Sequence, residues 1–208
     1  MTTWDEIYKN YINGGEAYGT LSRDINPIFK QFISQTTFTI KYVLDIGCGD
    51  GRYLKLLQSL GFKTDGIDSS EMAVEMTKKL LGDKSDIRCV DMFDFDIPSN
   101  GYDLIISLFT IHHGTKEQVQ SIVNRIQTAL IPSGKIFITV PDKEGSKTWK
   151  MFKDYKEISP GTFMPLNGPE RGLPHSVYTR GQVAELFSRF SNVNIIYNDT
   201  QWTVQADK

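Results

Sequence analysis

From residue 41 onward, short apolar runs alternate with stretches in which apolar residues recur every three or four positions. Strands feeding amphipathic helices produce that rhythm, and its repetition predicts an α/β fold around a mostly parallel sheet. Lys41 to Ile46 is the first predicted strand, Arg52 to Leu60 a helix with Tyr53, Leu56, Leu57 and Leu60 inward, and Phe62 to Ile67 the second strand. Gly61 fits the helix stop between them. Ser69 or Ser70 caps a helix to Leu81, with Met72, Met76 and Leu80 spaced four apart as core filler, and Asp86 to Val90 follows as a third strand. The continuous run Leu104 to Phe109 reads as a strand buried on both faces. Lys116 to Leu130 reads as a helix whose Val119, Ile122, Val123, Ile126 and Leu130 make one stripe. Ile131-Pro132-Ser133-Gly134 ends that helix, and Lys135 to Val140, rich in β-branched residues, gives a fifth strand. A helix from Thr179 or Arg180 to about Phe187 precedes two strands, Asn192 to Tyr197 and Gln201 to Gln205. Their three-residue connection is too short for a helical crossover, so they should pair antiparallel.

Two segments stand outside this repeat. Residues 1–40 hold a helix opened by the capping box Thr3-x-x-Glu6, with Trp4, Ile7, Tyr8 and Tyr11 on one face, then a second helix from Asp24 or Asn26 to about Ser34. Residues 141–178 carry five of the eight prolines and read as a long insertion, a functional lid or a disordered loop. The expected organisation is one domain: a helical lid over 1–40, a ligand-binding core over 41–140, the substrate-side insertion over 141–178, and a helix with a strand pair over 179–208. At 208 residues and 39% hydrophobic composition, a single domain with a full core is expected.

Composition narrows the partners. With 23 basic and 25 acidic residues, the net charge of −2 supplies no field for a phosphate backbone, so no nucleic-acid partner is expected. No apolar window is long enough for a membrane span, and the start lacks a basic segment followed by an apolar one, so a cytoplasmic location is expected and no membrane partner. Cys48 and Cys89 offer neither a disulfide framework nor a ligand cluster, and no metal site is expected. Oligomeric state leaves no trace in the sequence.

The chemistry concentrates in Val43-Leu44-Asp45-Ile46-Gly47-Cys48-Gly49-Asp50-Gly51. A glycine turn between a strand and a helix offers backbone amides, most commonly to a pyrophosphate. Here the third glycine of the dinucleotide fingerprint is missing at 52, and Asp45 and Asp50 would repel phosphate. A ligand with positive charge reverses that objection. S-adenosyl-L-methionine carries a sulfonium and an ammonium and no phosphate. Asp45 could take its ammonium, the amides of Gly47, Cys48 and Gly49 its carboxylate, and Asp68 with Ser69 the ribose hydroxyls. Asp91 could accept from the adenine amino group while the Met92 amide donates to the ring. Asp68 suits NAD equally; Asp91 is the better discriminator.

Together with Tyr102-Asp103-Leu104-Ile105-Ile106-Ser107 and Leu130-Ile131-Pro132-Ser133-Gly134-Lys135, these motifs make residues 41–140 resemble the class I S-adenosylmethionine-dependent methyltransferases. The resemblance implies a Rossmann-like, doubly wound seven-stranded sheet in the order 3-2-1-4-5-7-6 with strand 7 antiparallel. It also implies that Ser107 and Leu108 line the methionine moiety, that acceptor-site residues follow strand 4, and that His113 packs at the next helix's start.

His112 is the candidate general base and substrate contact, since imidazole titrates near neutrality. Tyr11, His175 and Arg171 are further candidate substrate contacts, with Trp149, Phe152, Tyr155 and Phe163 as apolar walls. The Asn-Pro-Pro-Tyr signature of amino-group methylation of bases is absent after strand 4, which leaves a small-molecule acceptor. The alternatives are a nicotinamide-dependent oxidoreductase and a non-catalytic module that binds S-adenosylmethionine.

Overall fold

The computed structural model describes residues 3–13, 24–149 and 153–208, apart from the side chains at 11 and 12. Seven strands form the main sheet: β1 (Tyr42–Ile46), β2 (Lys63–Asp68), β3 (Asp86–Cys89), β4 (Tyr102–Ser107), β5 (Leu130–Pro141), β9 (Ser191–Asn198) and β10 (Gln201–Asp207). Their order is β3-β2-β1-β4-β5-β10-β9, with β10 antiparallel to both β5 and β9 and the other pairs parallel. With β9 and β10 as the sixth and seventh strands of the sheet, this is the expected order, antiparallel strand included.

Six helices flank it: α1 (Trp4–Ile12), α2 (Pro27–Gln35), α3 (Arg52–Ser59), α4 (Glu71–Leu81), α5 (Lys116–Ala129) and α6 (Arg180–Leu186). Side-chain alternation along the strands divides the core into two layers. Ile105, Ile136 and Ile138 face α5 and α6, against Val119, Ile122, Val123, Ile126, Val183 and Leu186. Leu104, Ile106 and Phe137 face the opposite layer of Phe29, Phe32, Leu54, Leu57 and Val74 from α2, α3 and α4. Phe137 is fully buried and stands edge-on to Phe29 with ring centroids 5.0 Å apart. Truncating such a residue costs about 3–5 kcal/mol.

The helix caps follow the sequence. Thr3 and Glu6 close the first capping box, Asn26 caps α2 through Ile28, and Ser70 caps α4 through Ala73. Asp103, at the entry to β4, accepts from the Ile40 amide at 2.6 Å.

Two helix faces differ from expectation. In α4 the buried residues are Ala73, Val74, Thr77 and Leu81, while Met72 and Met76 are half-buried and Leu80 is exposed. In α3 Leu54 is buried and Leu60 exposed. Part of the insertion forms regular structure. A 3-10 turn at Gly145–Thr148 leads to a three-stranded antiparallel sheet of β6 (Tyr155–Ser159), β7 (Thr162–Pro165) and β8 (His175–Ser176). Its prolines sit in the β6–β7 turn and at the end of β7, where a missing N–H costs the ladder least.

Candidate functional site

The glycine turn sits where β1 meets α3, beside the point at which strand order reverses between β1 and β4. That crevice, at the carboxyl ends of the strands, is where open α/β sheets bind ligands. Gly47 has φ 79°, and a Cβ added there would lie 2.2 Å from Thr110 Cγ2. Gly49 has φ 58°, and its Cβ would lie 2.7 Å from Tyr8 Oη. Both positions therefore demand glycine twice over, for conformation and for space. The amides of Gly47 and Cys48 donate to the Ile67 carbonyl at 2.8 and 2.9 Å, which ties the turn to β2.

Carboxylates surround the turn. Asp45 is 3% exposed beneath it. Burial holds its carboxyl well above the usual range, and Asp68 and Asp50 push the same way. Asp68 accepts from the Gly49 and Ser70 amides, each at 3.0 Å; burial raises its pKa against the pull of those amides. Asp50 is neutralised locally, because Arg52 grips it through Nε at 2.8 Å and Nη2 at 2.7 Å. With Asp50 paired, the acids left beside the turn are Asp45, Asp68 and Asp91. Cys48 is buried, with its thiol raised well above the ordinary range by burial and then by Asp45, so it is no nucleophile.

A cavity of about 320 Å³ opens above the turn. Gly47, Asp68, Ser69, Asp91 and Met92 line it, together with Trp4, Tyr8, Ile67, Val90, Phe93, Phe109, Thr110, His113, Gln118, Leu173 and Pro174. No lysine or arginine belongs to that wall among the described residues. Asp91 is exposed at the rim and accepts from the Phe93 amide at 2.8 Å. Arg125 of α5, which sequence reasoning missed, pins this loop by donating to the carbonyls of Phe95 and Met92 at 2.7 and 2.9 Å. Helix α1 covers the turn with Trp4 and Tyr8, and its Asp5 accepts from Ser70 Oγ and from the Met72 amide at the start of α4.

After β4 the expectations need correction. Ser107 is fully buried and donates to the Ile46 carbonyl at 2.8 Å, and Leu108 packs in the core, so neither belongs to the cavity wall. The chain then turns through Phe109, whose φ of 60° ends the strand alternation and brings Phe109 and Thr110 to the wall instead. The same turn reverses the roles of the two histidines. His112 is 3% exposed and lies behind the wall, while His113 faces the cavity, its ring edge-on to Trp4 at 4.7 Å. Burial pushes both imidazoles well below their ordinary range, with His175 lowering both and His112 lowering His113.

The other substrate candidates disperse. His175 is fully buried, its Nδ1 2.9 Å from the Leu173 carbonyl and its Nε2 2.6 Å from Glu170, and it does not reach the cavity. Arg171 is exposed and outside the cavity wall. The Tyr11 side chain and Phe152 lie outside the described residues. Trp149 donates to Thr200 Oγ1, and Tyr155 stacks edge-on to Phe163 in the small sheet, so none of these three walls the cavity; Leu173 and Pro174 do. Among the described residues no helix is long and apolar enough to cross a membrane.

Comparison with known proteins follows this geometry. Residues 43–134 match a family model described as a methyltransferase domain. The chain is 27% identical to "Probable tRNA methyltransferase 9B" of Bos taurus over 184 residues, 81% of this chain and 39% of that protein. It is 31% identical to an uncharacterized methyltransferase of Anoxybacillus flavithermus over 134 residues, 64% of this chain and 61% of that one. It thus spans less than two thirds of the length of these curated relatives. In fold, it is similar to the 1,6-didemethyltoxoflavin-N1-methyltransferase of Burkholderia thailandensis, solved with 1,6-didemethyltoxoflavin and S-adenosylhomocysteine. That likeness has a TM-score of 0.67 at 15% identity, covering 98% of this chain and 85% of that one. Residues 43–134 therefore match a methyltransferase domain, and the sheet order is the one expected of a class I S-adenosylmethionine-dependent methyltransferase fold.

Proposed function

We propose that this chain transfers a methyl group from S-adenosylmethionine to a small-molecule acceptor held in the cavity between α1, the β4 end and the Leu173–Pro174 segment. The observation that carries the reading is the charge of the site: carboxylates at and beneath a turn whose glycines admit no side chain, with no cation in the described wall. A diphosphate would meet Asp68 and Asp91 there and no cation, whereas an ammonium would relieve the buried Asp45. When bound, the cofactor supplies a methyl group on a cationic sulfur, a good leaving group.

The residues of the chain have the tasks of binding, alignment and exclusion of water. In this reading Asp68 and Ser69, at the end of β2, meet the ribose, and Asp91 and the Met92 amide, after β3, meet the adenine; that all four residues line one cavity supports it. Trp4, Tyr8 and Phe109 close the apolar sides. Alignment of acceptor and methyl in such an enclosure can be worth roughly 7–11 kcal/mol. His113, rather than His112, is the imidazole that faces the cavity, and in this reading it contacts the acceptor. We take the compartment to be the cytoplasm, consistent with Cys48 and Cys89 both being free thiols.

Titration calorimetry with S-adenosylhomocysteine and with NADH tests the cofactor; binding of NADH alone refutes the reading. The similarity to a probable tRNA methyltransferase favours a second acceptor class, RNA. The cation-free wall argues against it, since RNA phosphates are held by Lys and Arg. Methyl incorporation into a metabolite extract, run beside incorporation into total tRNA, separates the two.

A further inference from the structure

The chain has three histidines, and the fold gathers all of them at one place. We propose that His112, His113 and His175 form a binding site for a divalent transition-metal ion, of the zinc type, in the wall of the cavity. One ring nitrogen from each lies within 4.8 Å of the others, and the ring centroids are 4.1, 4.6 and 5.7 Å apart.

The cluster is held by backbone rather than by chance side-chain contact. His112 and His113 leave β4, His175 opens β8, and the two segments are tied by the Ser176 amide donating to the His112 carbonyl at 2.9 Å. Ser176 Oγ adds a bond to the Gly114 carbonyl at 2.7 Å. Within this frame Nδ1 of His112 is buried without a hydrogen-bond partner. Buried polar atoms are nearly always paired, so an orphaned ring nitrogen beside two further imidazoles calls for a ligand. His112 is 3% exposed, which leaves little access for bulk solvent.

His175 completes the set with a supporting shell. Its Nδ1 donates to the Leu173 carbonyl, the arrangement that fixes the tautomer of metal-ligating histidines. Its Nε2 faces Glu170 Oε2, so an ion bound there exchanges that hydrogen bond for two donors, one of them anionic. Three imidazoles suit zinc and its transition-metal neighbours, whereas magnesium and calcium want oxygen. Because His113 lines the cavity, the site borders the proposed acceptor space.

The test uses the untagged chain, stripped with a chelator and titrated with Zn²⁺ by calorimetry and with Co²⁺ by visible absorption. One ion per chain and ligand-field bands of a nitrogen-coordinated Co²⁺ are expected. His113→Asn, at a half-buried position, and His175→Asn should abolish both signals. Glu170→Gln should weaken binding about 10–100-fold, as loss of a supporting group does. Circular dichroism reports folding; should His175→Asn fail to fold, His113→Asn decides. Absence of stoichiometric binding by the wild-type chain overturns the proposal, as does binding that persists unchanged in a folded His113→Asn variant. S-adenosylhomocysteine titrated into the stripped chain reports the cofactor reading separately.

Discussion

Gly47→Ala perturbs the turn at its tightest point. The residue holds φ 79°, a left-handed conformation that costs an L-residue about 1–2 kcal/mol. The new methyl would stand 2.2 Å from Thr110 Cγ2, 2.3 Å from Oγ1 and 2.6 Å from Cβ. No rotation of Thr110 clears all three atoms, and its hydroxyl already donates to the Leu108 carbonyl at 3.1 Å. Forced overpacking of this kind costs about 1–3 kcal/mol. The sum, about 2–5 kcal/mol, should appear as a lower urea midpoint followed by tryptophan fluorescence. The melting temperature should fall by about 4–20 °C. A double-mutant cycle then separates the parts: Thr110→Gly in the Gly47→Ala background should recover the overpacking share and leave the backbone strain. A loss below about 1 kcal/mol for Gly47→Ala, or no recovery from Thr110→Gly, refutes the account of the turn.

Three further outcomes are expected. Asp68→Ala should weaken S-adenosylhomocysteine binding by about 1.5–3 kcal/mol and also lower stability, because the Gly49 and Ser70 amides lose their acceptor; unchanged affinity in calorimetry removes Asp68 from the site. The folded-state pKa of Asp45 lies above its unfolded value of 3.8, so its stability contribution is full below that pH and is lost as pH rises through the raised value. Asp45→Asn should therefore stabilise the ligand-free chain at pH 8 and lose that advantage toward pH 4; urea midpoints with a pH-independent difference would contradict this. Arg125→Ala removes two charge-assisted bonds to the loop after β3 and should cost about 1.5–3 kcal/mol or more. Amide exchange should accelerate at residues 91–95, and protection equal to wild type there would show that the loop needs no anchor.

The sheet order was legible because each apolar run is bounded by a cap or a glycine, and because the stripe on α5 is long and all apolar. The buried face of α4 was not, since it includes Thr77, a polar residue whose hydroxyl donates to the Gly49 carbonyl at 2.8 Å. Spacing rules follow apolarity, and there the inward residue was chosen for a hydrogen bond. The side of the cavity at the ends of β1, β2 and β3 could be read from Gly47, Asp68 and Asp91, each within two residues of a strand end. The acceptor side could not, because Phe109 takes a left-handed conformation that no propensity predicts for an aromatic residue, and every side chain beyond it changes direction. Asp50 looked like part of the acid set until Arg52, two residues on, folded back to it. The histidine cluster depends on a contact between residues 112 and 175 that spacing along the chain does not encode.

The bridge from Asp5 to Ser70 and Met72 has a mechanical consequence. Tyr8 on the same helix reaches over Gly49, so a displacement of α1 that uncovers the turn would also strip α4 of an anion at its amino end. Cover of the turn is thereby coupled to the capping of a second helix through a single carboxylate.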